Sequence, residues 1–368
     1  MKYLYKQMKY ITFFISSLSS GGAEHQLSIL ANLLVEKGYQ VKIITYIDTA
    51  DHYSISDKIE RIRLGENKSN WAKVISIWCY FFSIKQGTVI AFGSFCSFLA
   101  IPSILFHKHV SIIAGERCIW GDKIPWYEIV NLSFLYHRAK YIVPNSDAQS
   151  QQIIARNPVY RDKVRTIINY TDINKYIVKP LAHHPIIRIG VFARYEEQKN
   201  ILRFLQAVYN LTKEGHTGFV VEWFGSKSLS SEVQKQYYKE CVDAIERLGL
   251  SDIVRFNDKT NKVAELMPEF DALCLPSLVE GFSNSLSEYI CCGRPVICSN
   301  VADNSVMVHD GENGFLFDPT NVSEITSALR QIITSSFEQR CAMGNRSREI
   351  AESLFNRESF VNSYISLF

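Results

Sequence analysis

The sequence predicts two doubly wound α/β domains in tandem, facing each other across a cleft. Three observations carry this. Apolar runs of four to six residues alternate with longer stretches of helical periodicity, the pattern of parallel strands joined by crossover helices. The alternation restarts after His183-His184-Pro185. A length of 368 residues suits two domains of ordinary size.

In the first half the runs place strands at Ile11–Ile15, Val41–Tyr46, Val89–Ala91, Val110–Ala114 and Tyr141–Pro144. Helical spacing places helices at about Ala23–Glu36, Trp71–Ile84 and Ser146–Arg156. In the second half strands are expected at Ile187–Phe192, Val220–Phe224, Ile253–Phe256, Ala272–Pro276 and Pro295–Cys298, with helices between them. Pro180 to Pro185 reads as the linker. The predicted domains are 1–180 and 186–345, with a terminal helical segment, 346–368, packing back on the first.

Two segments imitate membrane signals. Lys2, Lys6 and Lys9 precede an apolar stretch, as in a short signal peptide, but that stretch leads into Gly21-Gly22 and an amphipathic helix. A first strand with a glycine turn fits better. Thr88 to Phe106 runs 19 residues without a charge, close to a bilayer span. Gly93, Pro102 and several serines interrupt it, so it reads as a buried strand (Thr88–Phe92), a turn and a buried helix.

Hydrophobic residues make up 47% and charged residues 21%, which excludes disorder, collagen-like repeats and coiled coil. The net charge of +3 is uneven: residues 1–184 carry 22 basic against 13 acidic side chains, and residues 185–368 carry 18 against 24. The split suggests different partners for the two halves, one of them anionic. Nine cysteines without a CxxC pair point to a reducing compartment. Nine scattered histidines carry no metal spacing, and no metal is expected.

In open α/β sheets ligands bind at the carboxyl ends of strands, so the chemistry is sought in those loops. After the first strand stands Ser19-Ser20-Gly21-Gly22-Ala23-Glu24, which lacks the GxGxxG pattern of dinucleotide sites. Glycine permits close backbone approach there, though a tight strand-to-helix turn explains the pair equally well. Arg194 and Lys199 bracket the first loop of the second half, ahead of a helix at about Asn200–Leu211. A guanidinium and an ammonium beside a helix N-terminus suit a diphosphate; two solvated cations are the alternative.

The most specific segment is Pro276 to Glu288, between an apolar strand and a helix that stops at Gly293 before Arg294-Pro295-Val296. Gly281 permits close approach, Ser283 is a candidate N-cap, and amides near Asn284 to Leu286 suit phosphate. Glu280 and Glu288 are two acceptors about two turns apart, able to hold different polyols.

These motifs in this order, with Asp310-Gly311-Glu312-Asn313-Gly314-Phe315 after them, resemble the retaining glycosyltransferases of family 4, of bacterial surface-polysaccharide type. Val143-Pro144-Asn145-Ser146, Ile168 to Asp172, and Asp271 agree. The resemblance covers nearly the whole chain. It implies the GT-B architecture of two Rossmann-like domains and a metal-independent hexosyltransferase without cofactor, using a UDP- or GDP-sugar. Arg194 and Lys199 would then neutralise the departing diphosphate, and Glu280 would hold donor-sugar hydroxyls. Gly281, Phe282, Ser283, Asn284 and Leu286 would line sugar and phosphate, and Glu288 would hold the ribose. Gly22 and Gly225 would be further donor-side positions.

Where many members place a His at the end of a first-domain strand, this chain reads Ala114-Gly115-Glu116-Arg117, making Glu116 and Arg117 candidates for sugar or acceptor contact. The acceptor implied is a lipid-linked saccharide for capsule or lipopolysaccharide, reached by a cytoplasmic protein peripheral on the inner membrane face; no nucleic-acid partner is expected. Tyr3, Tyr5, Tyr10, Trp71, Trp78, Tyr80, Phe81 and Phe82 are candidates for that docking. Two other functions remain open: a 2-epimerase-like isomerase of the nucleotide sugar, and a non-catalytic sugar-nucleotide-binding subunit.

Overall fold

The structure, a computed structural model, describes residues 10–117, 119–120, 124–229 and 231–368. Lys2, Lys6, Lys9, Tyr3 and Tyr5 lie outside the described residues. The chain divides into two compact units, residues 1–170 with 357–368, and residues 171–356.

The first unit holds six strands: β1 (Tyr10–Phe14), β2 (Gln40–Thr45), β3 (Glu60–Arg63), β4 (Gly87–Phe92), β5 (Val110–Glu116) and β6 (Tyr141–Pro144). All neighbouring strands are parallel, in the order β3-β2-β1-β4-β5-β6. Its helices are α1 (Gly22–Glu36), α2 (Asn70–Ser83), α3 (Ser94–Ala100), α4 (Trp126–Ser133) and α5 (Asp147–Arg156). Apolar side chains of β1, β4 and β5 are buried along almost their whole length, as expected of a sheet covered by helices.

The second unit repeats the plan. Its strands are β7 (Ile187–Phe192), β8 (Phe219–Phe224), β9 (Val254–Asn257), β10 (Ala272–Leu275), β11 (Val296–Ser299) and β12 (Gly314–Phe317), in the parallel order β12-β11-β10-β7-β8-β9. Its helices are α6 (Ile201–Lys213), α7 (Glu232–Arg247), α8 (Val263–Leu266), α9 (Asn284–Cys291), α10 (Asn304–Met307), α11 (Val322–Thr334) and α12 (Phe337–Leu354). Counted from its own first strand, each sheet has the order 3-2-1-4-5-6 of a doubly wound fold.

Three differences from the sequence reading have physical causes. The edge strands β3 and β12 were not expected. Glu60-Arg61-Ile62-Arg63 has no apolar run to announce it, and Gly314 to Phe317 is short and hidden behind a turn motif. The boundary lies at Tyr170–Thr171, ahead of Pro180 to Pro185. Residues 171–186 are fastened to the second unit: Arg294 Nη1 donates to Lys179 O at 2.9 Å, Lys179 pairs with Glu269, and Tyr176 is buried. Finally, the chain rejoins the first unit at Arg357 rather than 346. There α13 (Arg357–Ile365) pairs Lys37 with Glu358 at 2.6 Å, and Phe360 stacks on Tyr170.

The uncharged stretch from Thr88 to Phe106 forms β4, α3 and a 3-10 turn at Ile101–Ile104. Among the described residues no helix is long and apolar enough to cross a membrane.

Candidate active site

The strand order fixes where a ligand site can form. In the second unit the connections leave β7 and β10 in opposite directions, so the loops after these neighbouring strands part and open a crevice at their carboxyl ends. One of those loops carries Arg194 and Lys199; the other carries Glu280 to Ser283.

The loop after β7 turns through a short 3-10 helix, Glu197–Lys199, and enters α6 at Asn200. Asn200 takes a left-handed φ of 59°, which Asn tolerates better than most residues, and its side chain donates to Pro319 O at 2.7 Å. Lys199, the residue before it, places its Nζ 2.5 Å from Glu280 Oε1. Both side chains are mostly buried, at 12% and 11% exposure. The two loops are also stitched by backbone: Leu278 N donates to Gln198 O at 2.8 Å, and Gln198 Nε2 to Val279 O at 2.6 Å.

Ser283 caps α9, its hydroxyl accepting from Leu286 N at 3.3 Å. This engages one of the amides assigned to phosphate; the rest of the first turn lacks helical acceptors by construction. Ser285 Oγ donates to Phe192 O at 3.2 Å, and Phe192 N donates to Tyr289 Oη at 2.7 Å, locking α9 to the end of β7. Phe282 is buried, with its ring edge-on to Phe355. Gly281 and Asn284 are half-buried in the same turn.

Glu288 lies about one turn into α9, beside Tyr176 and Lys175. Burial of its carboxyl pushes its pKa up to about 7, against the opposing pull of the Tyr176 hydrogen bond and Lys175. Tyr176 was not legible as a partner, because 112 residues separate it from Glu288 and no motif links them.

Arg194 is the cation the structure does not gather in. Its side chain is 69% exposed and pairs with Glu196 at 3.1 Å. Gly225 is a packing position: a Cβ there would lie 2.5 Å from Ala193 O and 2.9 Å from the Tyr195 ring. Gly225→Ala should therefore cost about 1–3 kcal/mol through overpacking, read as a lowered urea midpoint with donor binding retained by the folded protein. Arg294, in the Gly-Arg-Pro-Val motif, is buried and wired to the carbonyls of Lys179 and Pro268, which makes it structural.

The first-unit candidates lie after β1 and at or just after the end of β5. Gly22 is the first residue of α1, with Gly21 as its N-cap. Glu116 ends β5 but is 1% exposed, and accepts a hydrogen bond from Tyr136. Burial and the neighbouring Glu128 hold its pKa well above the carboxylate range, and burial pushes Glu128 up to about 7. Arg117 stacks on the Phe92 ring at 3.9 Å and donates to Tyr364 Oη at 2.7 Å. The Glu116 carboxyl, a candidate for sugar or acceptor contact, is thus an interior group beside Tyr136 and Glu128. No group of three or more His, Cys, Asp or Glu side chains suited to a metal occurs among the described residues.

Residues 174–350, almost the whole second unit, match the family described as Glycosyl transferases group 1. The Anabaena protein HepE, in complex with UDP and glucose, superposes with a TM-score of 0.83 at 18% identity, covering 97% of this chain and 98% of that one. The chain has the GT-B glycosyltransferase fold. An uncharacterized glycosyltransferase of Haemophilus influenzae is 23% identical to this GT-B chain over 94% of its length and 96% of the relative's. The N-acetylgalactosamine-N,N'-diacetylbacillosaminyl-diphospho-undecaprenol 4-alpha-N-acetylgalactosaminyltransferase of Campylobacter jejuni is 22% identical over 89% and 90%. Family match and relatives together support glycosyltransferase activity for the GT-B chain.

Proposed function

We propose that this protein is a retaining glycosyltransferase. It moves a hexose-type sugar from a UDP- or GDP-sugar to a lipid-linked saccharide, in assembly of a surface polysaccharide at the inner membrane face. The observation that carries the reading is the Lys199–Glu280 pair at 2.5 Å, formed by the loops after β7 and β10 next to the N-terminus of α9.

Each half of that pair has a task once a donor enters. Lys199 leaves Glu280 for the diphosphate, and Glu280 accepts hydrogen bonds from sugar hydroxyls. The bond from the anomeric carbon to the phosphate oxygen breaks, and its electron pair goes to the diphosphate. The positive charge of Lys199 and the amides of α9 stabilise the charge that develops there. Arg194, exposed and held by a single carboxylate, swings in as the second cation. The acceptor hydroxyl attacks from the face the phosphate leaves, and its proton passes to the leaving phosphate oxygen, so configuration is retained without a covalent enzyme intermediate. Glu288 binds the ribose hydroxyls.

Lys199 and Arg194 do the work a divalent ion does elsewhere, so transfer should survive EDTA unchanged. The test is a panel of UDP- and GDP-sugars with a polyprenyl-diphosphate saccharide acceptor, with and without chelator, and NMR of the product's anomeric linkage. Binding of no nucleotide sugar, an inverted linkage, or abolition by EDTA would each overturn part of this reading.

A further inference from the structure

On α2, Trp71, Ile75, Trp78 and Phe82 follow one another at intervals of four, three and four residues, which is a single helix face. That face is not packed: Trp71 is 80% exposed and Phe82 63%, while Ile77 and Phe81 on the opposite side enter the core. Phe81 is thus a core residue, and Trp71, Trp78 and Phe82 are the surface ones. The segment after the 3-10 turn continues the patch with Leu105 and with Phe106, which is 90% exposed. Phe82 meets the His107 ring at 5.3 Å, which brings the two stretches together. Between them opens an apolar cavity of about 370 Å³, lined by Trp78, Cys79, Phe82, Pro102 and Ser103. It lies in the first unit, in a part of the chain none of the proposed chemistry uses.

Within the stretch that carries this patch the charges have one sign, and Glu60, on β3 beside Tyr80 of α2, is paired with Lys42. From Asn67 through Gly115 the chain contains no Asp or Glu, and its charged residues there are Lys68, Lys73, Lys85 and Lys108. Lys68, Lys85 and Lys108 are exposed and Lys73 half-buried, so ammonium groups edge an aromatic face. Glu66, just outside the stretch, is the nearest acid in sequence on the α2 side. We propose that the exposed face of α2 with Leu105 and Phe106 docks on an anionic lipid bilayer, the cavity receiving hydrocarbon from it. This rests on the transferase reading above only in naming where that enzyme meets its lipid-linked acceptor.

The chemistry fits such a surface. Trp and Phe side chains insert to headgroup depth, where the Trp ring keeps a polar edge, and lysines run their alkyl stems along the apolar face to reach lipid phosphates. The Trp78 indole N–H is already satisfied by Leu99 O at 3.1 Å, so its ring can enter an apolar medium without stranding a donor. A second copy of the chain is a poorer occupant. A two-fold contact through this face would set its lysines against the same lysines, with no acid from residues 67–115 to pair them.

The experiment is co-flotation of the intact protein with vesicles. Wild type should float with phosphatidylglycerol-containing vesicles at least about tenfold better than with phosphatidylcholine alone. The triple variant Trp71→Ser, Phe82→Ser, Phe106→Ser should lose on the order of 100-fold in partitioning, while nucleotide-sugar binding in solution stays at the wild-type level. A bimane label on Cys79, with Cys79→Ser as control, should shift to the blue when vesicles are added. Absence of flotation, equal binding to neutral vesicles, or an unshifted label on vesicle-bound protein would overturn the proposal. So would a wild-type dimer in light scattering that the triple variant abolishes. Failure of wild type to bind any nucleotide sugar would instead remove the transferase reading and leave the vesicle result standing.

Discussion

Lys199→Ala is expected to lower kcat for sugar transfer by about 10²–10³-fold, the usual cost of removing one stabilising donor from a developing anion. The ammonium meets an already anionic diphosphate when the donor binds, and further charge as it leaves. Donor KM should therefore rise as kcat falls, so kcat/KM should fall by more than either. The same substitution strands Glu280, which is only 11% exposed, without its cation. A modest drop in thermal midpoint should therefore accompany the kinetic loss. Glu280→Gln separates the two effects, since it removes the ion pair yet keeps an acceptor for sugar hydroxyls. Its stability should change less than that of Lys199→Ala, and its kcat should still fall. Steady-state kinetics with thermal unfolding of both variants would check this. Full activity in Lys199→Ala would remove Lys199 from the reaction.

The second large effect concerns pH. A carboxylate that binds two ribose hydroxyls must be ionised, and burial has pushed Glu288 up to about 7. Donor affinity should therefore be at its plateau above that value and weaken as pH falls, by about tenfold one unit below it. Glu288→Gln should flatten this dependence and weaken donor binding by about 10–100-fold, the worth of charged hydrogen bonds replaced by neutral ones. Calorimetric titration of a nucleotide sugar across pH 6 to 8.5 would read both.

Stability moves the other way. A carboxyl whose folded pKa lies above its unfolded value holds its proton more tightly when folded. Its contribution is thus greatest below about 4.5 and falls as pH rises to about 7. At pH 8 the Gln variant should be the more stable protein even as it binds donor less well. A donor affinity independent of pH would argue that Glu288 does not touch the ribose.

The sheets were legible because buried parallel strands read as unbroken apolar runs, and Ile187 to Phe192 or Ala272 to Leu275 could hardly be anything else. The edge strand β3 escaped because an edge need not be apolar: Glu60, Arg61 and Arg63 are charged, and nothing in their order distinguishes a strand from a loop. At the candidate site, spacing along the chain singled out Lys199, Glu280 and Glu288 as candidates but not who meets whom. The Lys199–Glu280 pair spans 81 residues and exists because β7 and β10 are neighbours, a fact of topology. Tyr176 beside Glu288, and Tyr289 at the end of β7, carry no motif at all. Glu116 shows the converse: the end of a strand is an address for ligand contact, yet its carboxyl is buried against Tyr136, which no spacing announces.

The terminal helix has a consequence for the order in which the molecule can be built. Because α13 and the residues after it belong to the first unit, that unit is written in two pieces with the whole second unit spelled between them. A chain emerging from the ribosome completes the second unit at Asn356, while the first still lacks Phe360 against Tyr170 and Tyr364 against Arg117. The usual N-to-C sequence of domain completion is inverted. The unit that carries the candidate site reaches its full set of contacts first, and the half of the molecule begun earliest is the last to close.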